Sequence, residues 1–203
     1  MQVWKLCLNI NNRNNSMLSW DKKLDLQEQE VINTDCKQLI EGLIESGCDL
    51  NKEQSLEDVI AVVTFYCKSR AIKYKSDYEC MSVLRVLVQM ELDCTSLYNC
   101  FYAIQSRFIP RTDLSASVTE APYNLLRLLL LYHDPELCNF LDTCRITPEH
   151  FTKTWFSSLF TAVCSHDVCC ALWDIYFQRS DPFFIFFLSL VILVNAKEQV
   201  SII

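Results

Sequence analysis

Twelve cysteines and three histidines are the residues of this chain with the plainest capacity for chemistry, as nucleophiles or metal ligands. Their spacing supports neither use. No two cysteines stand as C-x-x-C, and His133, His150 and His166 form no H-x-x-x-H pair; Cys164 near His166 is a single close couple. The cysteines sit among apolar residues in helical stretches, as Cys67, Cys100 and Cys164 do, which reads as reduced structural cysteine, with no metal and no cofactor expected. Glycine occurs only twice, at Gly42 and Gly47, against a usual share of about 7%. Neither a Walker loop nor a GxGxxG can be written, so phosphate-cradling folds are excluded. Two short polar patterns remain. Asp35 and Gln38 lie one helical turn apart, and Tyr74-Lys75-Ser76 follows a helix and a loop later.

The elements that must position these groups are helical. A length of 203 residues with 51% hydrophobic and 21% charged content suits one domain with a sizeable core. Capping side chains stand before prolines at Asp134-Pro135, Thr147-Pro148 and Asp181-Pro182, each predicting a helix with proline at its first position. Leu56, Val59, Ile60, Val63 and Cys67 share one helical face, as do Leu97, Phe101, Ile104 and Phe108 before Pro110. Phe151, Trp155 and Leu159 repeat that spacing, and Val168, Leu172, Ile175 and Tyr176 follow it. A helix from about Val31 to Ser46 turns Ile32, Cys36, Leu39, Ile40 and Leu43 inward and leaves Gln38 on the surface. Nothing alternates long enough for a strand. Eight to ten helices are expected, joined by polar segments near Asn11–Asn15, Gly47–Gln54 and Thr112–Thr119. The fold class is therefore all-α, a single-domain bundle.

Charge and hydropathy remove further classes. The formal charge is −7 with no dense Lys/Arg block, which argues against a nucleic-acid partner. Met1 to Asn15 has no secretory-leader pattern, so a cytosolic chain is expected. Phe183 to Val194 is apolar throughout, but as a helix it spans roughly 18 Å against a bilayer core of about 30 Å. No transmembrane segment is read there. Apolar on every side, it is expected in the middle of the bundle.

Ile32-Asn33-Thr34-Asp35-Cys36-Lys37-Gln38 resembles the I-x-x-D-x-x-R motif of the Rab-GAP TBC domain family, and Tyr74-Lys75-Ser76 resembles its Y-x-Q motif. The resemblance extends through VTFYCKSRAIKY (Val63–Tyr74), LYNCFYAI (Leu97–Ile104), FIPR (Phe108–Arg111), LLLLYHDPELCNFLDT (Leu128–Thr143), ITPEH (Ile146–His150) and WDIYFQRSDPFFIFFLSLVILVNAKE (Trp173–Glu198). It implies a TBC-type helical bundle over residues 1–203. Val3-Trp4 is similar to the end of the family's R-x-x-x-W opening, which implies a domain shortened at its N-terminus. The retained motif residues are Asp35 and Tyr74. The arginine-finger position holds Gln38 and the glutamine-finger position holds Ser76, so no catalytic residue is expected.

Elementary chemistry says what those replacements remove. An arginine finger neutralises charge on the transferring phosphoryl group and is worth about 10³ to 10⁵ in rate. A neutral amide supplies no charge. Lys37 is turned about 100° from Gln38 on the helix and lacks the planar guanidinium fork. Ser76-Asp77-Tyr78-Glu79 reads as a capping box, which would commit the serine hydroxyl to a helix N-terminus.

The blocks are most similar to a finger-less subgroup of the family. That narrower resemblance implies a pseudo-GAP adaptor in endosome-to-Golgi transport, peripheral to the trans-Golgi network and endosome-derived vesicles. Its implied partners are golgin N-terminal segments, with a Rab GTPase as a further candidate. The WASH complex would be met only through a C-terminal domain which, like a rhodanese-like domain, lies outside this sequence. Arg70, Lys73, Lys75 and Arg111 are the candidate binding residues, since a basic loop bordering the old GTPase groove suits acidic golgin peptides. Two alternatives stand beside this: an active Rab GTPase-activating protein using Arg70 or Lys73 as non-standard fingers, and a membrane-associated protein using Phe183–Val194.

Overall fold

The structure is a computed structural model that describes residues 2–10, 17, 19–76, 80–110 and 116–197. Among these residues it contains ten α-helices and no strand. They are α1 (Gln2–Cys7), α2 (Gln29–Glu45), α3 (Lys52–Arg70), α4 (Cys80–Val88), α5 (Cys94–Arg107), α6 (Ala116–His133), α7 (Pro135–Thr143), α8 (Pro148–Ser158), α9 (His166–Arg179) and α10 (Phe184–Asn195). The all-α expectation holds.

Local signals explain most of the helix ends. Asn51 accepts from the Gln54 N–H, Asp93 from Ser96 and Asp134 from Leu137, each satisfying a first-turn donor that has no partner within its helix. Pro135 and Pro148 occupy the first positions of α7 and α8, as their sequences predict. Gly47, at φ +93, lets the chain leave α2, and the Cys48 N–H returns to the Leu43 carbonyl at 3.1 Å.

α2 and α3 form a packed pair; α3 also packs on α5, and α4 lies against α2, α5 and α8. α1 sits on α9, where the Trp4 indole N–H donates to Asp174 at 2.5 Å and the ring meets Trp173 and Phe177 edge-on or tilted. The largest fully buried side chains include Trp173, Tyr176, Phe101, Phe108, Phe156 and Phe177. Rings of this size dominate the apolar area such a core removes from water. Leu97, Phe101, Ile104 and Phe108 are all buried, as their spacing requires.

Other expectations need correction. On α8 the buried line is Thr152, Phe156 and Ser158, while Phe151 and Trp155 are half-buried. On α9 the buried residues are Cys169, Trp173, Tyr176 and Phe177, and Val168 and Ile175 are exposed. Both helices carry apolar residues on more than one side, so spacing identifies a helix without identifying its inward face. α10 is not a central helix. Ile185, Phe186, Ser189, Leu190 and Leu193 are buried, but Phe183, Phe187, Val191 and Val194 are exposed, because it packs chiefly on α6 and meets no described element on its far side. It also begins at Phe184, not at Pro182: the Asp181 carboxylate accepts from the Phe183 N–H at 2.9 Å, a turn that precedes the helix. α6 starts at Ala116 and α3 at Lys52, so the polar joints predicted at Thr112–Thr119 and Gly47–Gln54 are partly helical. The predicted joint at Asn11–Asn15 lies outside the described residues.

Candidate functional site

Asp35 is on the outer half of α2, one residue before buried Cys36 and one turn before exposed Gln38. The chain reaches it a second time after α3. Ala71 closes α3 in the left-handed conformation (φ 51), and the Ile72 N–H bonds back to the Cys67 carbonyl at 3.0 Å. That reversal sends residues 72–76 across α2. The Tyr74 ring is buried, and its hydroxyl donates to Asp35 Oδ2 at 2.8 Å; the exposed Ser76 hydroxyl donates to Asp35 Oδ1 at 3.1 Å. Each carboxylate oxygen thus accepts one hydrogen bond from the same loop. Charge-assisted bonds of this kind are stronger than neutral ones, and they tie α2 to the segment that leads to α4.

This geometry gives Ser76 a partner its neighbours in sequence do not reveal. The capping box was read from Ser76-Asp77-Tyr78-Glu79, of which residues 77–79 lie outside the described structure. The bond that is described has the Ser76 hydroxyl donating to a carboxylate 41 positions away. No local pattern encodes it.

The basic candidates fare differently from one another. Arg70 is the last residue of α3 and not a loop residue; its guanidinium lies 5.6 Å from the Tyr102 ring and donates to the Tyr102 hydroxyl at 3.2 Å. It is half-buried on α5, away from the loop where a free cation was expected. Lys73 is exposed and faces Glu28 at 3.7 Å, a surface pair of small energetic weight. Lys75 and Lys37 are exposed beside Ser76 and Gln38. Arg111 lies outside the described residues.

The thiols are poorly placed for reaction. Burial, with the Asp35 charge second, pushes Cys36 up to about 12. Burial likewise raises Cys94 and Cys100 to about 12 and Cys67 and Cys169 to about 11. Thiolate is the reactive form, so these residues act as small core hydrophobes. Every cysteine whose side chain the structure describes is free. A cleft of about 260 Å³ lies elsewhere, between α6, α7 and α8, and its Arg127 is already paired with Asp142.

The arrangement therefore holds a loop, presents an amide and two lysines, and places no guanidinium at position 38. The family model for the Rab-GTPase-TBC domain matches residues 1–201. The chain belongs to the Rab-GTPase-TBC family. No helix among the described residues is long and apolar enough to cross a membrane.

Sequence reasoning named Asp35, Gln38, Tyr74 and Ser76 through their motifs, and the structure brings Asp35, Tyr74 and Ser76 together. It missed Gln29, which is buried on α2 and exchanges hydrogen bonds with Thr64 of α3 at 3.0 and 3.3 Å, fixing the register of the two helices that carry the site. A glutamine in line with Ile32, Cys36 and Leu43 was the available signal.

Proposed function

We propose that this chain is a TBC module that binds partners without accelerating GTP hydrolysis. The observation that carries the reading is the coincidence of two replacements on one scaffold: Gln38 is an exposed neutral amide at the arginine position, and the Ser76 hydroxyl is tied to Asp35. A short hydroxyl held by a carboxylate is ill-suited to orienting water at a partner's nucleotide. The non-standard alternative is disfavoured by Arg70, whose guanidinium is engaged by Tyr102 on another helix.

The blocks from Val63 to Glu198 resemble TBC domain family member 23, and that likeness supports an adaptor at the trans-Golgi network, with golgin N-terminal segments as partners in the capture of endosome-derived vesicles. Exposed Lys37 and Lys75, with Lys73 shared with Glu28, are the cations this surface offers to acidic peptide segments. Calorimetric titration of the chain with golgin N-terminal peptides tests this. Saturable binding that weakens with salt and with Lys73→Glu/Lys75→Glu is expected; no binding by a folded chain would end the golgin reading.

A further inference from the structure

The face of the molecule opposite in character to the Asp35 site is formed by α6 and α10. These helices run parallel. Lys197 bonds to Asp134 at a separation of 63 residues, and Tyr123 and Phe186, separated equally in sequence, both meet the Phe156 ring of α8. α6 and α10 each turn a ring to Phe156 and pack on one another, and each leaves an apolar stripe exposed. The stripes carry Leu128, Leu131 and Tyr132 from α6 and Phe187, Val191 and Val194 from α10, with Phe183 just before it; Tyr132 is 83% exposed.

Exposure on that scale is unusual. Together these side chains present roughly 700 Å² of mostly apolar surface, more than the roughly 300–600 Å² patch of a typical monomer. We propose that this face is the interface of a symmetric homodimer, in which α6 and α10 of one copy pack on α6 and α10 of a second. Two such patches would bury about 1,400 Å², inside the range of about 1,200–2,000 Å² for specific interfaces. A two-fold axis makes one patch serve both copies and yields a four-helix layer.

Charge favours a second copy as occupant. With a net charge of −7, two copies repel across most of their surface. α10 bears no ionisable side chain from Phe184 to Asn195, so two copies meet there without like-charge contact. A lipid surface fits less well. Interfacial helices border their apolar face with unpaired lysine and arginine, whereas this face is bordered by the exposed Glu136 carboxylate, with Lys197 already paired to Asp134 and Glu136.

Sedimentation equilibrium of the 203-residue chain over a dilution series tests the proposal. The wild type should sediment as a dimer that dissociates on dilution. Leu128→Glu with Val191→Glu should raise the dissociation constant more than about a hundredfold, since it buries unpaired charges in the interface. Because Leu128 and Val191 are 60% and 56% exposed, the double variant should keep wild-type helicity and melting temperature. Ile175→Glu, on the exposed side of α9, should leave association unchanged. A wild type that stays monomeric at every concentration, or a double variant that still dimerises, would overturn the proposal. So would a monomer that floats with phosphatidylcholine vesicles, which would assign the face to lipid.

Discussion

The Asp35 site and the α6/α10 face are held in place by different physics. At the first, both oxygens of one carboxylate are taken by hydroxyls from a single loop. At the second, apolar stripes stand in solvent over a well-packed ring cluster of Tyr123, Phe156 and Phe186. The polar site is satisfied within the chain, while the apolar face has area to spare. Motif chemistry thus points to α2, and unspent hydrophobic surface points to α10.

The contrast can be broken most severely from the apolar side. Phe156→Ala empties the ring position shared by α6, α8 and α10, and should cost about 3–5 kcal/mol in urea unfolding. Asp35→Ala comes next. It leaves the buried Tyr74 hydroxyl without this acceptor and should cost about 1–3 kcal/mol, whereas Tyr74→Phe should cost about 1 kcal/mol.

Alkaline pH separates the two regions further. Cys36, Cys94 and Cys100 are raised by burial from 9.0 to about 12. The unfolded chain therefore releases these protons first. Their contribution is fully present below about pH 9 and is lost as pH rises toward about 12. Urea midpoints should fall across that window, and Cys36→Ala should reduce the slope. The smallest effect belongs to Ser76→Ala, within about 0.5 kcal/mol because the hydroxyl is exposed.

Much of the fold was legible in the sequence wherever one residue type settled the matter. Asp134-Pro135 and Thr147-Pro148 start helices because proline lacks only a donor that would go unused. Leu97, Phe101, Ile104 and Phe108 are buried as their spacing predicts, but Tyr98, Asn99, Cys100 and Ala103 are buried with them, because α3 and α4 both pack on α5. α8, α9 and α10 defeated the same logic, having apolar residues on opposing sides. In the site, the motif residues were legible by resemblance, but the bond from Ser76 to Asp35 was not, since it depends on how the α3 to α4 loop crosses α2. Arg70 looked like a free loop cation; Tyr102, on α5, is what holds it.

The most direct measurement is single-turnover GTP hydrolysis by a panel of Rab GTPases, with wild-type chain and with Gln38→Arg/Ser76→Gln. On the proposed non-catalytic reading, wild-type chain should leave every Rab at its intrinsic rate, since the amide of Gln38 and the hydroxyl of Ser76 carry no positive charge. The double substitution should accelerate any Rab that still fits the frame. Acceleration of any Rab by the wild-type chain would contradict the non-catalytic reading.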